Sequence, residues 1–109
     1  MRRDTEKTKV IFRKFKREIL ALFPELLGTN SPYTCSCYAH LGQHGSCEPT
    51  GVIFESKPAK PSEYRDLAAE LRSLGYNLDI IKRNSPNFLD VRREELKHSV
   101  TNLGRRWKR

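Results

Sequence analysis

The chain has 109 residues, of which 37% are hydrophobic and 31% are charged, and its formal net charge is +8. This length and composition are typical of one soluble, folded domain with a modest core, and they exclude a long disordered chain. No apolar run reaches the roughly 20 residues of a membrane span, and a polar stretch follows the basic N-terminus where a secretory signal needs an apolar segment. We therefore expect a cytoplasmic protein without a membrane partner. The odd number of cysteines, three, argues against a closed disulfide framework.

The positive charge is concentrated at the two ends of the chain. Residues 1–17 contain eight Lys/Arg and two acidic residues, and residues 82–109 contain nine and three, so each end has a net charge of +6. The middle, residues 18–81, contains four Lys/Arg and eight acidic residues, a net charge of −4. This layout is typical of a compact body whose basic ends bind an anionic partner, although a solvated surface with charged tails has the same counts.

The first predicted elements are two strands, over residues 9–15 (KVIFRKF) and 18–23 (EILALF). Both are rich in β-forming residues, and their alternation predicts a hairpin with one apolar face. The Lys16-Arg17 turn lacks Gly or Asn, so we expect a looser turn than two residues. Pro24 is expected to end the second strand because it cannot donate to a strand ladder. The predicted apolar face contains Val10, Phe12, Ile19, Ala21 and Phe23.

Residues 33–41 (YTCSCYAHL) alternate with a period of two and predict a third strand, with Cys35 and Cys37 on the core face. A flexible reversal is expected over GQHGSCEPTG, and a fourth strand over residues 52–56 (VIFES) completes a second hairpin with a long tip. The segment between the two predicted hairpins is rich in residue types that favour turns, so it is expected to form a loop.

A helix is predicted from Pro61, which suits the first helical position, to Gly75, which suits a left-handed cap. Residues 76–83 (YNLDIIKR) predict the next strand, and a second helix is expected over residues 88–103, capped by Ser85 or Asn87 and ended by Gly104. The apolar stripe of the first helix comprises Tyr64, Leu67, Ala68, Leu71 and Leu74.

The predicted order β-β-β-β-α-β indicates an α+β fold, a mostly antiparallel sheet with one helix packed on a face in two layers, plus a C-terminal helix. The expected organisation is a basic N-terminal arm over residues 1–8, an α+β core over residues 9–83, and a C-terminal helix with a basic tail over residues 84–109. Sequence alone leaves open whether the C-terminal helix packs on the core.

The stretch TCSCYAHLGQHGSC, residues 34–47, places three cysteines and two histidines close together. A zinc site is not favoured, because C-x-C is tighter than the usual ligand spacing and glycines interrupt the H-x₃-H pair. A nucleophilic cysteine paired with a histidine, Cys37 with His40 or Cys47 with His44, lacks a third member elsewhere in the chain. We therefore expect cysteines that pack as small apolar residues, no cofactor and no enzymatic activity. Zinc remains the alternative, with the ligand candidates Cys35, Cys37, His40, His44 and Cys47.

LGQHGS suggests a second kind of site, a recognition loop. Two glycines bracket Gln43 and His44 and allow the backbone to approach a partner closely. A solvent-facing hairpin tip is the simpler interpretation. The residues of the recognition loop are Tyr38, His40, Gln43 and His44.

The stretches KVIFRKFK, ILALFPE, PYTCSCYAHLGQHGSC and KPAKPSEYRDLAAELRSLGY resemble a family of small bacterial proteins, often phage- or plasmid-borne, that has no assigned function. The shared pattern is F-R-K-F, A-L-F-P, Y-T-C-x-x-Y-x-H-x-G-Q-H-G and K-P-A-x-P-x-E-Y, and the resemblance covers residues 9–83. Cys37 and Cys47 are particular to this chain, whereas the resemblance places in the motif Cys35, Tyr38, His40, Gly42, Gln43, His44 and Gly45. FPELLGTN is similar, in fewer residues, to the F-P-D-L-P-G strand end of HicB-type antitoxins, but the helix that follows it there is missing here.

From the charge layout we expect a small non-enzymatic binding protein of mobile-element type that interacts with nucleic acid or with a nucleic-acid-handling protein. Trp107 within RRWKR suits stacking on a base. Two alternatives remain: an antitoxin-like or inhibitory module that binds a protein or forms a homodimer through a sheet edge or the GQHG loop, and a small zinc or cysteine–histidine enzyme. The predicted nucleic-acid contacts are Arg2, Arg3, Lys14, Lys16, Arg17, Arg92, Arg93, Arg105, Arg106, Trp107, Lys108 and Arg109.

Overall fold

The structure, a computed structural model, describes residues 7–39 and 43–107, and side chains for residues 7–39 and 44–97. Within these residues one sheet has the strand order β4-β3-β2-β1-β5, with β6 also paired to β1. All pairs are antiparallel except β1 with β6. The predicted α+β class with a mostly antiparallel sheet is therefore confirmed. The elements are β1 (Thr8–Phe15), β2 (Glu18–Leu27), β3 (Cys35–Ala39), β4 (Gln43–Cys47), α1 (Pro49–Glu55), β5 (Lys57–Pro58), α2 (Pro61–Ser73), β6 (Leu78–Ile81) and α3 (Asn87–Trp107).

The two central strands, β1 and β2, are buried on both faces of the sheet. Leu67, Ala68 and Leu71 of α2 cover one face, which carries the predicted apolar alternation of the first hairpin. Val52 and Ile53 of α1 pack on the opposite face, so the sheet has a helix on each side and the expected two layers become three. The first face contains Val10, Phe12, Ala21, Phe23 and Tyr38, and the second contains Ile11, Leu22, Cys35 and Cys37.

The turn between β1 and β2 is tighter than expected. Phe15 pairs with Glu18, which leaves Lys16 and Arg17 as the only turn residues. Lys16 has a φ of 57°, in the left-handed region that a side chain with a Cβ normally avoids at a cost of roughly 1–2 kcal/mol. Burial of the alternating apolar residues fixes the register of both strands, so the turn accepts this strain.

Replacing Lys16 with glycine is expected to raise the free energy of unfolding by about 1 kcal/mol, because glycine adopts a positive φ without a steric cost. Chemical denaturation of both proteins measures the difference. Arg17→Gly is the matched control, since Arg17 has no positive φ to relieve, and it should not stabilise. Equal effects of the two substitutions would show that the turn conformation is not the cause.

Pro24 does not end β2, contrary to the prediction. The strand continues to Leu27, and an irregularity in its pairing with β3 falls between Phe23 and Leu27. Such a bulge accommodates proline, because the residues inside it need not donate to the ladder. Beyond it, Gly28 lies where any Cβ would collide with the backbone carbonyl of Cys35, so the chain requires glycine there.

The predicted strand over residues 52–56 is wrong. Residues 49–55 form α1, with Pro49 at its start, and the fourth strand is instead β4, within the stretch that was expected to be a flexible reversal. A short apolar run such as VIF fits a strand or a buried helical turn equally well by periodicity. The helix brings Val52 and Ile53 onto the uncovered face of the sheet.

The two longer helices agree better with the sequence, except that α3 does not end at Gly104 as predicted but continues to Trp107, since a helix tolerates an internal glycine at a cost of about 1 kcal/mol. The apolar stripe of α2 is buried through Leu71, whereas Leu74 is 55% exposed, and Gly75 has the expected positive φ of 106°. At the start of α3, Ser85 Oγ accepts a hydrogen bond from the backbone of Asn87. The beginning of α3 packs against the body, with Phe88 buried, which answers the question that the sequence left open. No helix in the described ranges is long and apolar enough to cross a membrane.

Candidate functional site

Three cysteines converge on one face of the sheet. Cys35 and Cys37 lie two residues apart on β3, and Cys47 of β4 stands directly opposite Cys35 in the strand register. The Sγ atoms of Cys35 and Cys47 are 4.0 Å apart, and no disulfide joins them. All three pack with Ile11 and Leu22, so the prediction that Cys35 and Cys37 face the core is confirmed.

The contact between the thiols changes their acidity. The hydrogen bond from Cys47, helped by the positive charge of Arg92, lowers the pKa of Cys35, although burial acts in the opposite direction. The same contact raises the pKa of Cys47 to about 12. The hydrogen bond between Cys37 and Cys47, together with the burial of Cys37, raises the pKa of Cys37. Cys35 is therefore the thiol of the cluster that ionises most readily.

Neither of the two cysteine–histidine pairs suggested by the sequence is observed in the described residues. His44 and Cys47 are three residues apart on one strand, so their side chains point to opposite faces of the sheet, and this pair does not form. His40, the other candidate, lies outside the described residues. Among the residues that are described, no group of three or more Cys, His, Asp or Glu side chains is arranged to hold a metal ion. The zinc alternative stays untested.

Tyr38 is not part of an exposed recognition surface, contrary to the prediction. It is 1% exposed, and its hydroxyl donates to Glu70 Oε2 of α2. Its ring meets His44 edge-on, with the ring centroids 4.5 Å apart, while the exposed His44 lies 3.4 Å from the hydroxyl of Tyr76 through Nε2. The strand thus brings Tyr38 and His44 together as predicted, but the tyrosine serves packing. The side chain of Gln43 is outside the described part.

The basic residues divide into buried and exposed ones. Arg92 is 4% exposed and donates to the backbone carbonyls of Pro24 and Pro32, at 2.6 and 2.7 Å. The prediction that Arg92 contacts phosphate is therefore corrected, because the side chain is buried and its Nε and Nη1 atoms donate to carbonyls inside the protein. Its neighbour Arg93 is exposed, and its guanidinium lies 5.9 Å from the ring centroid of Tyr33.

Several of the exposed cations lie on the first hairpin and on the segments that border β1. Lys16 and Arg17 occupy the tip of the first hairpin, and Lys57 belongs to β5, which pairs with β1 beside that tip. Lys60 and Lys82 border a neighbouring cleft of about 500 Å³ whose walls include Phe12 and Tyr64. We call these five exposed residues, Lys16, Arg17, Lys57, Lys60 and Lys82, the hairpin-end surface.

Acidic side chains limit this surface on one side. Lys14 forms an ion pair with Glu63 at 2.7 Å, and this hydrogen bond lowers the pKa of the Glu63 carboxyl. Glu18, Glu63 and Asp66 line a second cleft, toward α2, together with Arg17. Lys14 therefore contributes little positive charge to a partner, and the cationic surface faces β5 and β6.

Sequence reasoning missed Lys57, Lys60 and Lys82 as partners of the hairpin tip. The first two belong to the acidic middle of the chain, and only the pairing of β5 with β1 brings them to the tip. The predicted contacts Arg2, Arg3, Lys108 and Arg109 fall outside the described residues, as do the side chains of Arg105, Arg106 and Trp107.

No family model, curated protein or solved structure matches the chain, so the family resemblance drawn from its motifs stays a prediction.

Proposed function

We propose that the protein binds nucleic acid without catalysing a reaction, through the hairpin-end surface and the basic C-terminal tail. The observation that supports this most directly is the group of exposed cations contributed by the first hairpin, β5, the start of α2 and the end of β6. Lysine and arginine on one face neutralise phosphates and release counterions, which supplies most non-specific affinity for nucleic acid.

The cleft beside the surface adds a feature that suits a nucleic acid. Its wall contains the half-buried ring of Tyr64, which stacks on the buried ring of Phe12 with centroids 4.4 Å apart, and Lys60 and Lys82 stand at its rim. Aromatic and apolar surface next to cations accommodates bases beside a neutralised backbone, an arrangement common in proteins that bind single strands. We therefore propose single-stranded nucleic acid as the better ligand.

Reversing the charge of the hairpin tip, in the double variant Lys16→Glu with Arg17→Glu, is expected to weaken binding of a single-stranded oligonucleotide at least 20-fold, by an estimate of about 0.7 log units per lost contact at 0.1 M salt. Both side chains are exposed, so the fold should tolerate the change. Fluorescence anisotropy with a labelled oligonucleotide measures the affinity.

The matched control reverses Arg65 and Arg72, two exposed arginines of α2, and changes the net charge by the same amount. It should weaken binding by only about 2–3-fold, through the general field of the protein. Equal losses in the two double variants would mean that net charge alone attracts the oligonucleotide. Unchanged affinity in the hairpin variant would remove the surface from the proposal.

The exposed edge of the sheet favours a protein partner or a homodimer as the second candidate. Among the described strands, β4 pairs with β3 alone, and its residues His44, Gly45 and Ser46 are exposed. The strand contains no charged residue and no proline, the features by which proteins usually protect an edge. A dimer in light scattering that dissociates on Ser46→Pro, while oligonucleotide affinity stays flat with salt, would favour this candidate over nucleic acid.

A further inference from the structure

We propose that Cys35 and Cys47 form a redox-active dithiol site, which undergoes thiol–disulfide exchange with a small-molecule disulfide such as glutathione disulfide. The site is independent of nucleic-acid binding, since it lies on β3 and β4 rather than at the hairpin tip.

The strand register selects this pair of cysteines. Residues directly opposite in an antiparallel pair have Cα atoms about 4.5–5.5 Å apart, within the range of about 4.4–6.8 Å that a disulfide spans. Cys35 and Cys47 are directly opposite, and their Sγ atoms are already 4.0 Å apart. Cys37 stands opposite Gly45, so its relation to Cys47 is diagonal. Diagonal neighbours are about 7–8 Å apart, beyond that range.

The burial of the two thiols sets the order of the steps. Cys47 is partly exposed on an edge strand, whereas Cys35 is 0% exposed. Cys47 is the accessible thiol of the pair, so its thiolate attacks one sulfur of glutathione disulfide first, in a step that the raised pKa of Cys47 makes slow. This step forms a mixed disulfide and releases one glutathione thiolate. The Cys35 thiolate then attacks Sγ of Cys47 and releases the second glutathione.

The electrons and protons balance over these two steps. The two cysteine thiols lose two electrons and two protons, and glutathione disulfide gains them as it becomes two glutathione molecules. The hydrogen bond from Cys47 that lowers the pKa of Cys35 is lost once Cys47 is a mixed disulfide, so the second step depends on the closeness of the two sulfur atoms. The positive charge of Arg92 remains and favours the Cys35 thiolate.

The product ties the edge strand β4 covalently to β3. The bond closes a loop between residues 12 apart in sequence, and this loop contains the GQHG segment. Constraining the unfolded chain in this way is expected to raise the melting temperature by at least about 5 °C.

The test incubates the folded, reduced protein with glutathione disulfide and follows the products by intact mass and by peptide mapping. We expect wild type to lose its two thiol hydrogens without retaining glutathione, with the link mapped between Cys35 and Cys47. Cys37→Ser is the matched control and should give the same product with the same link, because the serine hydroxyl keeps a hydrogen-bonding group beside Cys47 and has no sulfur to form a disulfide. Cys35→Ser should stop at the glutathione adduct of Cys47.

Three outcomes would overturn the proposal, and wild type alone provides all of them, so the test does not depend on the folding of a variant. The first is a link mapped between Cys37 and Cys47. The second is a glutathione adduct that persists unresolved on Cys47. The third is reaction of the thiols only at denaturant concentrations that unfold the whole chain, which would make the pair inert packing.

Discussion

Replacing Arg92 with alanine is expected to lower the free energy of unfolding by about 2–5 kcal/mol. The guanidinium donates to the carbonyl of Pro24, inside the irregular part of β2, and to the carbonyl of Pro32, in the turn before β3. Without it, both carbonyls lose a charge-assisted partner. The loss is a large share of the stability of a domain of this size.

The residue next to Arg92 provides the control for this prediction. Arg93 is exposed and contacts Tyr33 and Asp90 at the surface, so Arg93→Ala should change stability by no more than about 0.5 kcal/mol. Arg92→Lys should recover only part of the loss, because an ammonium group cannot reproduce the forked geometry of two separate N–H donors. Urea unfolding curves give all three values. Similar midpoints for Arg92→Ala and Arg93→Ala would contradict the anchoring role of Arg92.

The second large effect concerns the C-terminal tail. Residues 105–109 contain four Lys/Arg and Trp107. Replacing these five residues with alanine keeps the length and the helix propensity of the chain while it removes the charges. If each cation contacts a phosphate of a single strand, the slope of log affinity against log salt should become shallower by about 3.

Trp107→Ala separates stacking from charge in the same assay. It should weaken binding by about 1–3 kcal/mol for a stacked base and leave the salt slope unchanged. A double variant such as Arg65→Ala with Arg72→Ala, away from the tail, is the control for charge removal and should preserve the slope. An alanine tail with the slope of wild type would show that the tail does not contact phosphate.

The agreement between sequence and fold follows the strength of the local pattern. The alternation in β1 and β2 and the stripe of α2 extend over enough residues to fix which side chains are buried, and the structure confirms both. A turn residue such as Gly75 is equally clear, because its positive φ has a local chemical cause. These features do not depend on the rest of the chain.

The errors occurred where a distant contact decides the conformation. The VIF run belongs to α1, which packs on the second face of the sheet. The pattern of a single short run does not contain this long-range contact. Pro24 lies inside β2, in the part whose pairing with β3 is irregular, and its carbonyl accepts a hydrogen bond from Arg92, which is 68 residues away. The burial of Arg92 could not be predicted for the same reason. The sequence pattern of a helix does not distinguish a buried arginine from an exposed one.

The candidate sites show the same division. The period of two placed Cys35 and Cys37 on the core face, but the register of β4, which puts Cys47 opposite Cys35, came only from the structure. The positive charge of the chain ends was plain from counting, whereas the contribution of Lys57 required the pairing of β5 with β1. Sequence therefore supplied the chemistry of both sites, and topology supplied their geometry.

The most direct test of nucleic-acid binding is the affinity of the intact chain for a single-stranded oligonucleotide, measured across about 50–300 mM salt. With the five exposed cations of the hairpin-end surface and the four of the tail available, we predict a log–log slope of about −4 or steeper, which corresponds to six or so phosphate contacts at roughly 0.7 each. An affinity that stays flat over this range would contradict the proposal, because the phosphate contacts on which it depends would then be absent.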